Sequence, residues 1–328
     1  MALTPTTRAR GANARAVAAF EATPGTVPAA GAAWFRVPFV SHGLGEERGL
    51  IESDLLGQGR EMSDPTPDVA TNDGDIVVPV DVRSFAQFLK LFFGDPTTSG
   101  PAQVAGADQF THVFRSGAQT LPSLSIEIGM PEVPSFSVHR GARGNQLRIA
   151  MARGGLLNAT CSLVCIGETD PTNATVGAAN PALVETTRFP QATGYIRKDG
   201  QILGSVVSAD FTFSNNLEKV ETIQPDGRIE DSDPAMATMT GAVTIKYKDR
   251  TLLNAATSSP PTPIELVFGW KVGSHELLFT VGRVFLPRAK NPIQGPGAIQ
   301  ASYNWQSSKP GASNTVVVTL KNDVAAYA

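Results

Sequence analysis

The chain has 328 residues, enough for about two domains, and its 41% hydrophobic and 17% charged residues are typical of a folded protein with a large core. Its 27 basic and 30 acidic residues give a net charge of −3, which excludes the basic surface expected of a duplex-binding protein. No apolar run approaches the roughly 20 residues of a membrane span, so we expect no membrane association.

The N-terminal residues 1–35 are rich in Ala, Pro and Thr, which predicts an arm laid on another surface. Their start, MALTPTTRARGANARAVAAF, lacks the continuous apolar core of a signal peptide, so we expect the protein to stay in the compartment where it is made. We predict a first domain over residues 36–168 and a second over 188–328. The stretch 169–187 between them, TDPTNATVGAANPALVETT, is polar and turn-rich, which is typical of a linker.

One stretch of the first half is repeated in the second. GREMSDPTPDVATNDGDIVVPVDVR, which begins at Gly59, matches GRIEDSDPAMATMTGAVTIKYKDR, which begins at Gly227, with only small gaps. LKLFFG, ending at Gly94, is paired in the same way with IELVFG, ending at Gly269. We interpret these matches as a duplicated domain, because the spacing is far longer than the period of a solenoid repeat.

Most of the chain alternates apolar and polar residues, which predicts half-buried strands. SLSIEI, VVSADFTFS, VTIKYK and TVVVTLK follow this pattern, and we expect a strand in TCSLVCIG as well. The pairs Asp73-Gly74 and Asp199-Gly200 lie between strand-like runs, where a tight hairpin turn needs residues that tolerate a positive φ.

Helical spacing occurs once with full strength, in RSFAQFLKLFFG. Phe85, Phe88, Leu89 and Phe92 are spaced as the apolar face of an amphipathic helix that ends at Gly94. A shorter counterpart is predicted in DRTLLNAAT of the second half. The fold prediction is therefore mainly β: two duplicated β-sandwich or partly open barrel domains, each with one flanking α-helix.

Residues with a recognisable chemical role are scarce. Cys161 and Cys165 would lie about 13 Å apart along one strand, too far for a disulfide, and we expect both to be buried. The four histidines stand far apart, no GxSxG motif is present, and the acidic residues from Asp64 to Asp75 do not have the calcium-loop register. We therefore predict no metal, no cofactor and no catalytic residue, so the protein is not expected to be an enzyme.

Several blocks resemble the tail tube proteins of long-tailed bacteriophages: GTVPAAGAAWFRVPFVSHGLGEE, IESDLLGQGRE, GDIVVPVDVRSFAQFLKLFFG, LPSLSIEIG and DGQILGSVVSADFTFSNNLEKVETI. The resemblance spans roughly Gly25 to Asp249 and fits the members with two tube domains. It implies a structural protein whose trimeric, pseudo-hexameric rings stack into the hollow tail tube that conducts phage DNA into the host. It also implies a virion location, assembly in the host cytoplasm, and three partners: a tape-measure protein, a tail terminator and a distal tail or baseplate initiator.

Two sets of residues are assigned to this assembly as hypotheses. The repeated loops Gly59 to Gly74 and Gly227 to Gly241 are long, polar and Pro-bearing, so we expect them to make ring-to-ring contacts. Polar faces of predicted strands are candidates for the channel wall. The contact residues are Arg60, Ser63, Asp64, Asp68, Asp73, Arg228, Asp231 and Asp233; the channel candidates are Ser125, Glu127, Ser208, Asp210 and Thr212.

Two other classes of protein would share the strands. A decoration or adhesin-like β-sandwich module on a virion surface would also share the duplication but would not polymerise along an axis. Its loops should be richer in aromatic residues than a chain with 4 Tyr and 3 Trp allows. A carbohydrate-active β-sandwich enzyme would need a paired carboxylate site in a cleft.

Overall fold

The computed structural model describes residues 8–57, 59–104, 106–177, 181, 184–290, 293 and 295–327. It is mainly β, with all strand pairs antiparallel, as the alternating sequence predicts. Neither helix of these residues is long and apolar enough to cross a membrane. The strands of the first half are β1 Arg15–Phe20, β2 Phe35–Arg36, β3 Ser41–His42, β4 Gly45–Ile51, β5 Thr66–Pro79, β6 Thr97–Val104, β7 Ala107–Arg115, β8 Leu124–Met130, β9 Ser135–Met151, β10 Asn158–Cys165 and β11 Gly167–Glu168.

The second half continues the numbering, and the helices lie at similar places in the two halves. Helix α1 spans Phe85–Phe93 and the shorter α2 spans Thr251–Thr257, as predicted. The remaining strands are β12 Tyr195–Lys198, β13 Gln201–Ile202, β14 Val206–Ser214, β15 Leu217–Val220, β16 Asp231–Pro234, β17 Thr238–Lys246, β18 Ile264–Val272, β19 His275–Phe285, β20 Gln300–Ser307 and β21 Val316–Asn322.

Two long runs of paired strands cross the whole molecule. The first sheet has the order β4, β5, β10, β9, β14, β17, β20. The second sheet has the order β6, β7, β21, β19, β18, β12, β13. A smaller sheet joins β2, β1 and β8 to the N-terminal part of β9. The described strands form no closed barrel, so the first two sheets have open edges.

The pairing scheme repeats in the two halves. The succession β1, β8, β9, β10, β5, β4 in the first half recurs as β12, β18, β19, β20, β17, β14 in the second. Among the described residues, the β6–β7 hairpin occurs only in the first half and β21 only in the second. The match of LKLFFG with IELVFG is therefore wrong: the first stretch lies in α1, whereas IELVFG begins β18.

One hydrophobic cluster fills the space between the buried faces of the sheets. In the second half, the ring of Phe211 on β14 lies 4.9 Å from that of Phe268 and 5.0 Å from that of Phe279, which belong to the second sheet. Phe268 also stacks on Trp305 of β20 at 5.8 Å. Aromatic side chains of this size supply a large part of the burial that holds two sheets together.

Helix α1 begins and ends where its sequence dictates. The carboxylate of Asp81 accepts hydrogen bonds from the backbone N–H groups of Ser84 and Phe85, which satisfies donors at the helix start. Gly94 ends the helix with a φ of +85°, a conformation that favours glycine.

The positions of the strands test three local predictions. Asp199-Gly200 forms the predicted turn between β12 and β13. Asp73-Gly74 does not form a turn, because it lies inside β5, where a Cβ at Gly74 would collide with the carbonyl oxygen of Gly43. Cys161 and Cys165 are buried free thiols on β10, as predicted, and burial raises the pKa of both.

The predicted arm needs a correction for part of its length. Arg15–Phe20 forms β1, which pairs with β8 and has four buried residues in its middle. This segment is therefore an integral strand, and the pairing with β8 explains why short apolar residues occur there. Residues 1–7 of the arm, and 178–180, 182 and 183 of the predicted linker, lie outside the described residues.

Candidate assembly interfaces

The two halves are joined by strand pairing in both long sheets. In the first sheet, residues 146–151 of β9 pair with residues 209–214 of β14 over six positions. In the second sheet, residues 110–115 of β7 pair with residues 317–322 of β21 over six positions. Edge strands with unpaired backbone groups tend to recruit another strand, and here each half uses the other for this purpose.

Helix α1 covers the joint in the first sheet. The ring of Phe93 stacks on that of Phe213 of β14, with centroids 4.4 Å apart. The buried amide of Asn215 donates from Nδ2 to the carbonyl oxygen of Phe92 at 3.0 Å and to that of Gly144 at 2.9 Å. One side chain of the second half thus binds both the helix and β9 of the first half.

The repeated loops are the outer parts of two β-hairpins. The first hairpin consists of β4 and β5, with a tip of residues 52–57 and 59–65. The second consists of β14–β15 and β16–β17, with a tip of residues 221–230. The predicted loops therefore include strand as well as tip, because Thr66 already begins β5 and Asp231 begins β16.

The second tip is bound to the first half. The guanidinium of Arg228 contacts the carboxylate of Glu46 at 2.7 and 2.9 Å. Burial opposes charge on Glu46, but the hydrogen bonds from Arg228 and from the Glu168 backbone outweigh it and hold the pKa of Glu46 below its usual value. Beside this pair, Asp231 contacts Arg143 at 2.7 Å, and the carbonyl of Gly227 accepts a hydrogen bond from the backbone of β5.

A buried polar cluster beside this contact was not expected from the sequence. The Nδ1 atom of His139 lies 3.2 Å from the amide of Asn72 and 3.9 Å from the carboxylate of Glu168. Burial lowers the pKa of His139, and the charge of Glu168 offsets only part of that effect. Among the described residues no group of three or more His, Cys, Asp or Glu side chains could hold a metal ion.

The predicted contact residues fall into two groups. Arg60, Ser63, Asp64 and Asp68 are exposed on the first hairpin, and Asp233 is exposed on the second. The others are engaged within the chain. Arg228 and Asp231 make the ion pairs described above, and Asp73 contacts Lys219 at 2.6 Å.

The first tip is more apolar than its polar sequence suggested. Leu56 is 95% exposed, and Leu55 and Met62 are about two-thirds exposed. A group of exposed apolar side chains on one loop is typical of a contact surface. The stretch IESDLLGQGREMSDP contained this signal, because its Leu pair and Met interrupt an otherwise polar loop.

Two of the predicted channel residues are wrong. Ser125 and Glu127 on β8 are 0% and 1% exposed, since residues 175–177 and the side chains of Arg15 and Glu21 contact the polar face of that strand. Glu127 accepts hydrogen bonds from Arg15 and from the backbone N–H groups of Val176 and Gly177. Alternation in the sequence showed that this face is polar but carried no information on what covers it.

The other three channel candidates share one surface. Ser208 is exposed, and Asp210 and Thr212 are half-exposed, on the face of the first sheet that points away from the core. That face continues across the joint into both halves and consists mostly of polar side chains. Its exposed and half-exposed members include Gln146, Arg148, Ser162, Asp210, Thr212, Thr240, Ser302 and Asn304.

The ends of the first sheet are open. In the described part of the chain, β4 has a strand partner only on the side of β5. At the opposite end, β20 pairs fully with β17, but on its other side only Gln306 and Ser307 pair, with the end of β19. Each molecule therefore has one unsatisfied edge at each end of this sheet.

A family model described as phage tail tube protein matches residues 11–307 of the chain. No curated protein matches the chain. The match spans both halves, the joint between them and both hairpins.

Proposed function

Because the chain belongs to the phage tail tube protein family, we propose that three copies close into a ring and that such rings stack into the hollow tail tube of a virion. Each chain supplies two similar halves, so the trimer has pseudo-six-fold symmetry. Phage DNA passes along the channel into the host cell. The role is structural, and we propose no catalytic step.

The continuity of both long sheets across the two halves carries this proposal. Six paired positions join β9 to β14, and six join β7 to β21. The β9–β14 joint is a head-to-tail contact, and such a contact closes into a ring when it is repeated around an axis. The open edges at β4 and β20 are where one chain continues the sheet of the next, which removes the unpaired edges.

The polar face of the first sheet is the proposed channel wall. Ser208, Asp210 and Thr212 lie on it, and neutral polar groups predominate among its other residues. A wall without a basic stripe does not retain the phosphate backbone, because few cations are available to replace its counterions. DNA therefore passes without specific binding.

The hairpin tips extend beyond the ends of the sheets, and we assign to them the ring-to-ring contacts. The exposed residues Arg60, Ser63, Asp64, Asp68 and Asp233 take part directly. By the family's architecture, the tube encloses a tape-measure protein and ends on a terminator and on a distal tail or baseplate initiator. Assembly takes place in the host cytoplasm.

The test is cryo-electron microscopy of the purified chain, with class averages viewed along the tube axis. We expect three-fold rings with six similar lobes around an open channel. Monomers or closed particles that never stack, under conditions in which tails are stable, would overturn the proposal and favour a surface decoration module.

A further inference from the structure

Each half carries an apolar groove at the same place in the repeated fold. The first lies beside β1 and β2, has a volume of about 300 Å³, and includes Ala16, Val37 and Phe39. The second lies beside β12 and β13, has a volume of about 550 Å³, and includes Ile196 and Leu203. The pairing scheme makes them equivalent. Strand β1 of the first half corresponds to β12 of the second. Arg36 is opposite Val17 of β1, and Ile202 is opposite Arg197 of β12, so Arg36 and Ile202 hold corresponding positions.

Each groove lies at the opposite end of a hairpin from its tip. The first groove is lined by residues 36–39, just before β3 and β4, and the first tip follows β4. The second is lined by residues 205–209 at the start of β14, and the second tip follows β15. About ten strand residues separate groove from tip in each half, or roughly 30 Å.

The two ends have complementary surfaces. The tips bear exposed apolar residues, with Leu55 and Leu56 on the first and the fully exposed Ile223 on the second. Their acidic residues include Glu52, Asp54 and Glu61 on the first and Glu221 and Glu230 on the second. The groove linings combine apolar residues with basic ones, which are Arg36 in the first and Arg153 and Lys246 in the second.

We propose that the two grooves are the receptors for the two hairpin tips of another copy of this chain, in the adjacent ring of the tube. This inference rests on the proposed function, which supplies the rings. The sheets continue around the ring through hydrogen bonds perpendicular to their strands, so the strands run along the tube and their two ends face neighbouring rings. Two tips on one side and two grooves on the other give each ring six of each, in matching pseudo-six-fold positions.

The test uses two variants that each damage one side of the ring. The tip variant carries Leu56→Glu and Ile223→Glu. The groove variant carries Arg36→Glu and Ile202→Glu, at two exposed and equivalent groove positions. A control carries Gln119→Glu and Ser313→Glu, which add carboxylates at exposed loop positions outside the tips, the grooves and the polar face of the first sheet. The three variants, the unaltered chain and a mixture of the tip and groove variants are examined by sedimentation velocity and negative-stain microscopy.

We expect tubes from the unaltered chain and from the control, and single rings from each of the two variants alone. A mixture of the variants should give pairs of rings and nothing longer. In such a pair, the intact tips of a groove-variant ring bind the intact grooves of a tip-variant ring. The two outer sides of the pair carry the substituted grooves and the substituted tips, so no further ring can bind. Tubes of normal length from the groove variant, or a mixture with no paired rings, would overturn the groove assignment while leaving the ring intact. An unaltered chain that forms no rings would overturn the proposed function itself.

Discussion

At the residue scale, Gly74 shows how a single position can be restricted by the approach of a neighbouring strand. Its φ is +157°, and a Cβ would collide with the carbonyl oxygen of Gly43. Gly74→Ala should lower the free energy of unfolding by about 2 kcal/mol or more, measured by urea denaturation. Gly45→Ala is the matched control, since a Cβ there meets nothing within 4 Å, and it should change stability by less than about 1 kcal/mol. Equal effects of the two substitutions would contradict this explanation.

His139 makes stability depend on pH. Burial lowers its pKa, so below the ordinary value of 6.5 the unfolded chain takes up a proton that the folded chain excludes. Stability should therefore fall as the pH falls from about 7 towards 5, by at most about 1.4 kcal/mol per pH unit for this group. His139→Gln should reduce that slope in urea denaturation while keeping a polar partner for Asn72. An unchanged slope would show that the nearby His42, Glu46 and Glu168 control the effect instead.

The sequence patterns identified correctly which strand faces are polar, but not which polar side chains are exposed. The alternation in SLSIEI correctly identified Leu124, Ile126 and Ile128 as buried, but Ser125 and Glu127 are buried too. Their partners, Glu21 and residues 175–177, are distant in the chain, so no local pattern could reveal them. VVSADFTFS has the same alternation, and there Ser208, Asp210 and Thr212 remain exposed or half-exposed, whereas Ser214 at the end of the strand is buried.

At the scale of elements, Asn215 holds α1 and β9 to the second half. Asn215→Ala leaves the carbonyl groups of Phe92 and Gly144 without this donor in a buried site, which should cost about 1–3 kcal/mol in urea denaturation. Asn304→Ala, on the exposed face of the first sheet, should be within about 0.5 kcal/mol of the unaltered chain. Faster amide exchange in α1 should accompany the loss; exchange unchanged in α1 would contradict the assigned contact.

Elements with strong periodicity were predicted well. The spacing in RSFAQFLKLFFG and the final Gly94 gave both the type and the end of α1. By contrast, Asp73-Gly74 suggested a turn because the sequence cannot show that Gly43 approaches from another strand. The strand β1 was missed because RAVAAF is short and its partner β8 is more than 100 residues away. Pairing between distant segments decided both cases.

At the scale of the whole molecule, the halves should unfold together. Both long sheets cross the joint, and one hydrophobic cluster includes residues of both halves. In scanning calorimetry of the unassembled chain we expect one transition, with equal calorimetric and van't Hoff enthalpies. Two separable transitions would show that the joint contributes little.

The repeat and the hairpin tips could be predicted from the sequence, whereas the two grooves could not. Repeated residues such as Gly59-Arg60 and Gly227-Arg228 mark both hairpins directly. The equivalence of the grooves depends on strand register, which places Arg36 and Ile202 at matching positions although the residues are unlike. Register of this kind is a property of the folded sheets.

The pairing of β7 with β21 makes the two halves depend on each other. In the described part of the chain neither strand has a counterpart in the other half, and each satisfies the backbone of the other over six positions. A ring made from six copies of either half alone would leave one of these strands without its partner. Neither half can therefore replace the other, and separating them would expose the backbone of both strands.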